Sequence, residues 1–248
     1  MFNSFLSALS MFSKIPVKPK EFNDDNGAQT LCFLPVVGII CGALTFGIYS
    51  LISNTGINSF VKALILLFSL FCISGFLHLD GFMDTSDALL SARDREKKAK
   101  ILKDSNVGAF SVICICLLFL TDYISLFTFV ENMGEAFFLL VVPFIARAVG
   151  VYILFTYNPL STEGILAYFR VGVTWVKIAI SVIMAVIGVV VCFFLGFNFG
   201  MSVLIASAIS LLSAKIAEHQ IGGINGDIIG FCIVVFEAVS YFVLSILL

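Results

Sequence analysis

The sequence predicts an all-α, polytopic membrane protein with about seven transmembrane helices and a short amphipathic helix at its N-terminus. Composition is the first ground: 60% of residues are hydrophobic and 12% charged, too apolar for a chain that must face water. Run length is the second, because the apolar residues gather into uncharged stretches near the roughly 20 residues that a spanning helix needs. Charge placement is the third: Lys and Arg gather on alternate loops, the pattern that orients spans in a bilayer. Every loop is short, so one integral membrane domain over residues 1–248 is expected. The net charge of −2 favours no polyanion, and no basic, aromatic-studded tract occurs, so nucleic acid is not an expected partner. The 7 cysteines lie mostly inside apolar spans without a CxxC pair, and read as small buried apolar residues, not as a disulfide set. No secretory leader is expected, since Lys14, Lys18 and Lys20 follow the first apolar stretch.

Phe2, Phe5, Leu6, Leu9 and Phe12 recur at helical spacing among Ser and Asn. Residues 2–13 are too few to span and predict an amphipathic helix at the interface, in contact with membrane lipid. Residues 14–26 form a polar connector with two prolines, Pro16 and Pro19. The first span covers 31–53, where Gly38 and Gly42 form a GxxxG able to admit a close helix. A second span covers about 59–77, a third about 106–130 and a fourth about 136–156. No charge occurs between Lys177 and Lys215, a run of about 55 Å if helical, against a bilayer core of about 30 Å. It must fold back, and residues 196–200, GFNFG, are the natural turn between spans five and six. The seventh span runs from about 228 to 248.

With the N-terminus inside, the cytoplasmic loops hold Lys14, Lys18, Lys20, the six cations from Arg93 to Lys103, Arg170, Lys177 and Lys215. The outer side keeps only Lys62, and Arg147 lies within a span. The positive-inside rule therefore predicts N-in and C-out in a cell membrane. Asp80, Asp104, His219 and Asp227 then all face the cytoplasm.

The second span runs into His78–Leu90, HLDGFMDTSDALL, with Asp80, Asp84 and Asp87 in one short stretch. On a helix these three carboxylates fall within about 60° of arc. Like charges on one face repel, and a shared divalent cation is the usual reason to keep them together. All-oxygen ligands suit Mg²⁺, which takes few carboxylates and leaves room for water and substrate phosphates. The competing reading is a solvated acidic first turn. Asp80, Asp84 and Asp87 are thus the expected metal ligands, with Asp87 or Asp104 as base. His78 points away from Asp80 on a helix, reads as a residue just before it, and is a candidate for acid–base chemistry or simple hydrogen bonding.

Residues 222–227, GGINGD, form a second polar group on the same face. Closely spaced glycines let the backbone approach a ligand and offer amides to phosphate, which makes Gly223, Gly226 and Asp227 candidate substrate contacts; the alternative is a flexible loop with a capping Asp. Lys103, at the end of the basic loop, joins them. Arg147 and Glu237 both sit roughly 15 Å deep. An unpaired charge there costs several kcal/mol, so they are expected to pair; the rival is that Arg147 reaches a substrate diphosphate.

Taken together, HLDGFMDTSDALLSARDREKKAKILKDSNVGAF resembles the signature region of the cobalamin synthase family, the adenosylcobinamide-GDP ribazoletransferases. GGINGDIIG is similar to its GGxTGDxLG motif, Ser13-Lys14-Ile15-Pro16 to its TRxP, and Leu34 to Gly42 to its FPxxGxxxG. The chain departs at Asn225, where the family has threonine, at Ser13-Lys14, and at Pro159, which no arginine follows. The resemblance implies that a hydroxyl of α-ribazole, or of its 5′-phosphate, attacks the cobinamide-bound phosphorus of adenosylcobinamide-GDP and releases GMP. The expected partners are the corrinoid nucleotide, α-ribazole, and other cobalamin-assembly enzymes. Two alternatives are a CDP-alcohol-type phosphotransferase, whose Mg²⁺ motif also spaces aspartates by four, and a cation transporter. The first lacks its preceding D-x-x-D-G-x-x-A-R element here; the second would place ionisable groups near the bilayer midplane.

Overall fold

The computed structural model describes residues 1–18, 27–104, 106–132 and 135–248. Most of the proline-containing connector (19–26, with Lys20) and Ser105 of the basic loop lie outside them. Among the described residues all repeating structure is helical: α1 (Phe2–Phe12), α2 (Gly27–Cys32), α3 (Leu34–Ser53), α4 (Ser59–Ser74), α5 (Leu77–Leu90), α6 (Arg95–Ile101), α7 (Ala109–Glu131), α8 (Phe137–Thr156), α9 (Ile165–Arg170), α10 (Trp175–Leu195), α11 (Phe197–Ile221) and α12 (Gly226–Leu247). Six segments are long and apolar enough to cross a membrane: α2 with α3, α7, α8, α10, α11 and α12. The seventh is α4 with α5, a pair bent by 93°.

That bend corrects the expected second span. Helix α4 stops at Ser74, where Gly75 (φ 72°) and Phe76 (φ 61°) both take the left-handed conformation. Such a φ is uncommon for a bulky residue, and two in succession turn the chain sharply. The Asp-bearing helix therefore leaves at a right angle to α4 and packs alongside α12 and against α7. His78 is also inside α5, not ahead of it.

Helix α8 is the axis of the bundle, buried along nearly its whole length, whereas α10 buries only Ser181, Gly188 and Cys192. Helix α3 reaches α8 through the GxxxG: a Cβ at Gly42 would lie 2.7 Å from the Leu140 carbonyl, and one at Gly38 would lie 2.8 Å from Arg147 Cδ. Small residues here replace side-chain volume with backbone approach, which is how packing holds helices together in lipid.

Arg147 and Glu237 meet as expected. The Arg147 guanidinium donates to Glu237 Oε1 at 2.6 Å and to the Pro143 carbonyl at 3.1 Å, joining α8 to α12. Asp122 of α7 is buried nearby but is not the arginine's partner. Between α10 and α11 the expected five-residue turn is a single residue, Gly196, and α11 begins at Phe197. Asn198 then donates to the Leu247 carbonyl at 2.8 Å. The α10–α11 turn and the end of α12 thus share one face, opposite the Asp-bearing loops. Lys62 is buried and caps α3 by donating to Ser53 O at 2.6 Å. All 7 cysteines are free, and Cys72 and Cys116 lie exposed rather than buried.

Candidate active site

Helix α5 is laid against the start of α12 through two glycines. A Cβ at Gly81 would stand 2.8 Å from Asp227 Cα, and one at Gly230 would stand 3.2 Å from the His78 backbone. The two helices touch backbone to backbone, so Asp227 joins the acidic face of α5. Asp80 is exposed, and Asp84, Asp87 and Asp227 are half-buried. Burial and then the charges of Asp80, Asp227 and Asp87, in that order, raise the Asp84 carboxyl to about 6. Asp227, set against Gly81, is a member of the acidic group that spacing along α5 alone did not reveal.

Asp87 faces the start of α7, where any side chain at Gly108 would collide with its carboxylate. Ser111 locks the same junction by donating to the Met83 carbonyl at 2.8 Å. Asp104 is fully exposed, and its Oδ1 accepts from Asn106 N at 3.0 Å and Nδ2 at 2.7 Å, which lowers its carboxyl below the usual range. It acts as the turn-former between α6 and α7. Lys103 is exposed beside it.

The glycine loop is held more firmly than a flexible connector. Asn158 O accepts from Ile224 N at 2.8 Å and Leu160 N donates to Ile224 O at 2.9 Å, a short parallel bridge. Glu218 anchors that strand-like segment by accepting from Asn158 N at 2.9 Å and Nδ2 at 2.7 Å. Gly223 packs on Leu160, where a Cβ would lie 2.5 Å from its backbone nitrogen. Gly222 adopts φ 117°, and the Arg95 guanidinium lies across it, so that a Cβ would sit 2.6 Å from Nε. Asn225 caps α12 by accepting from Ile228 N at 3.0 Å, and its Nδ2 donates to Asp227 Oδ2 at 2.7 Å. The departure from the family threonine thus keeps a cap and adds a tether on the carboxylate.

The basic loop divides by role. Lys98 is buried and ties α5 to α11 through Leu89 O at 2.8 Å and Gln220 Oε1 at 2.6 Å, and Lys97 pairs with Asp94 at 2.9 Å. Arg95 alone is drawn over the glycine loop, a placement that charge patterning did not single out. Arg147 is spent on Glu237 within the bundle, only 2% exposed, and does not open onto this face.

Beneath the glycine loop lies a cavity of about 410 Å³. Met11 and Phe12 of α1, Leu31 and Leu34 of the first span, Leu154 of α8, Leu166 and Phe169 of α9, and Ile229 of α12 supply its apolar wall. His78, Gly226 and Asp227 also line it. The amphipathic α1 therefore supplies part of the cavity wall. His78 is buried and stacks on Phe12, with ring centroids 6.4 Å apart and planes 20° apart. Its Nε2 has no hydrogen-bond partner within the structure.

Among the described residues no three carboxylate, imidazole or thiol groups stand as a ready-made metal cage. The donor chemistry still fits a hard divalent cation. Asp80, Asp84, Asp87 and Asp227 present oxygen only, and no Lys or Arg pairs with any of them among the described residues. An all-oxygen donor set of this kind is the chemistry that a hard cation such as Mg²⁺ takes.

Comparison with known proteins accords with this arrangement. A relative in Clostridium perfringens named adenosylcobinamide-GDP ribazoletransferase is 34% identical over 240 residues, 96% of each chain. One of the same name in Clostridium botulinum is 35% identical over 98% of this chain and 96% of its own. Another, in Geobacillus thermodenitrificans, is 29% identical over 93% of this chain and 90% of its own. No solved structure matches the chain. The model of the cobalamin-5-phosphate synthase family matches residues 4–245, which include the Asp-bearing α5, the glycine loop and every span, and the chain belongs to that family.

Proposed function

We propose that the chain is an adenosylcobinamide-GDP ribazoletransferase, dependent on Mg²⁺, whose site faces the cytoplasm. The observation that carries the reading is that the acidic face of α5 and Asp227 in the first turn of α12 are packed together, without a basic partner, beside an apolar cavity. A hydroxyl of α-ribazole or its 5′-phosphate forms a bond to the cobinamide-bound phosphorus, the diphosphate P–O bond breaks, and GMP leaves with the electron pair. Asp80, Asp84 and Asp227 are the residues that would hold the cation, which when bound neutralises charge on the phosphoryl oxygens. Asp87, one turn beyond Asp84 and free of any ion pair, is then the carboxylate left to take the hydroxyl proton. Asp104 is the weaker base, since Asn106 already holds its oxygen. Arg95, lying on Gly222, is the cation best situated to meet a phosphate at the glycine loop; Lys103 is a second. Asp80 is exposed on this face, where a bulky corrinoid nucleotide can approach from water.

The direct test is an anaerobic assay of the purified chain in detergent, with adenosylcobinamide-GDP and α-ribazole, following GMP with and without Mg²⁺. GMP formation that needs both substrates and the metal is expected. GMP appearing without the metal would overturn the Mg²⁺ assignment, and its absence under all conditions would overturn the reaction.

A further inference from the structure

Among the buried polar atoms that the transferase reading leaves unused, one belongs to a residue of the cavity wall. His78 Nε2 is buried without a partner, in a side chain that lines a cavity otherwise walled by hydrocarbon. Burying a polar atom with no hydrogen bond is unfavourable, and a native protein keeps such an atom when something else supplies the partner. The cavity, about 410 Å³, falls within the range that holds a small ligand and is far too small for a corrinoid. Its polar equipment is sparse: His78, and Asp227 where the cavity meets the carboxylate cluster.

Resting on that reading, we propose that this cavity is the nucleoside subsite, holding the base of α-ribazole among the apolar side chains, with His78 Nε2 hydrogen-bonded to a ring nitrogen. The chemistry selects between the two nucleosides in the reaction. Guanine presents several donors and acceptors along its edges, and this wall would leave most of them unsatisfied. A benzimidazole-type base is flat and apolar apart from one unsubstituted ring nitrogen, and away from the Asp227 end the wall's one polar side chain is His78. Phe12, stacked on the imidazole, fixes the ring and gives the base an aromatic neighbour. The position also makes sense of Asp227, which belongs to both the cavity wall and the acidic group. A base seated below carries its ribose upward past Asp227, toward the carboxylates where the phosphorus must be attacked. His78 is thus a specificity and positioning residue.

The test is equilibrium binding of α-ribazole to the full chain in detergent, without corrinoid or metal, in the parent protein and in His78→Phe. The aromatic shape is kept and one nitrogen partner is lost, so affinity should fall about five- to tenfold, the worth of one neutral hydrogen bond. An indole riboside, which lacks the ring nitrogen, should bind the parent weaker by a similar factor and bind both proteins equally. Equal binding of the indole riboside also shows that the variant is folded. Gly226→Leu adds a side chain where a Cβ meets nothing within 4 Å, and it should raise KM for α-ribazole while leaving that for adenosylcobinamide-GDP unchanged. Unaltered α-ribazole affinity in His78→Phe would overturn the proposal, as would a Gly226→Leu effect confined to the GDP substrate. Either result is distinct from failure of the transferase reading, in which the parent itself would release no GMP.

Discussion

Asp84 is the residue on which the acidic group converges, since Asp80, Asp227 and Asp87 all act to raise its carboxyl. The substitution Asp84→Asn keeps its shape and removes its charge. Turnover should fall on the order of a hundredfold or more, as for loss of one preorganised electrostatic group, while the protein still inserts and purifies. Binding of Mn²⁺, followed by electron paramagnetic resonance as a stand-in for Mg²⁺, should weaken in parallel. Near-normal turnover at low Mg²⁺ would remove Asp84 from the metal set. Asp227 should give the same result, although it lies in another motif. Asn225→Thr, which restores the family residue, keeps a capping oxygen and loses only the tether on Asp227 Oδ2. A change in turnover of a few-fold is expected, with no loss of thermal stability beyond about 1 kcal/mol.

Elements meet here through backbone, and the glycines tell two of their roles apart. At Gly81 a side chain would drive α5 off α12, because the Asp227 backbone occupies the space. Gly81→Leu should therefore lower both stability and activity, read by thermal aggregation of the detergent-solubilised protein. Gly226 has open space around it, so Gly226→Leu should leave stability near the parent's and act on substrate alone. The pair Arg147–Glu237 ties α8 to α12 below this crossing. Glu237→Gln strands a buried guanidinium, and a cost of about 3–5 kcal/mol is expected. Exchanging the two charges should recover part of that loss, as coupled sites do. A stability unchanged by Glu237→Gln would mean that Arg147 finds its partner elsewhere.

Across the whole molecule, the relative sidedness of the loops is fixed by contacts: Asn198 reaches Leu247 on one face, while the glycine loop, α6 and α5 gather on the other. The N-in reading puts twelve of the cations on the site's side, and the positive-inside rule then predicts that this side is cytoplasmic. In a cysteine-free background, Leu248→Cys should react with a membrane-impermeant thiol reagent on intact cells, and Lys100→Cys only after permeabilisation. The reverse pattern would turn the site outward.

Sequence alone determined the architecture and the chemistry on offer. Spans were legible because a bilayer core demands uninterrupted apolar runs, and the acidic face of α5 because helical spacing is fixed by local geometry. The Arg147–Glu237 pair was legible for the same kind of reason, since depth along two helices can be counted. Tertiary structure decided what those local rules leave open. The left turn at Gly75-Phe76 set α5 at a right angle to α4 and against α12, and the single-residue break at Gly196 replaced a longer turn. Helix packing brought Asp227 to Asp84, Arg95 to Gly222 and Phe12 to His78, and it removed Arg147 from the site. Each of these is a meeting of residues far apart in sequence, set by which surfaces pack. No periodicity within one segment encodes such a meeting.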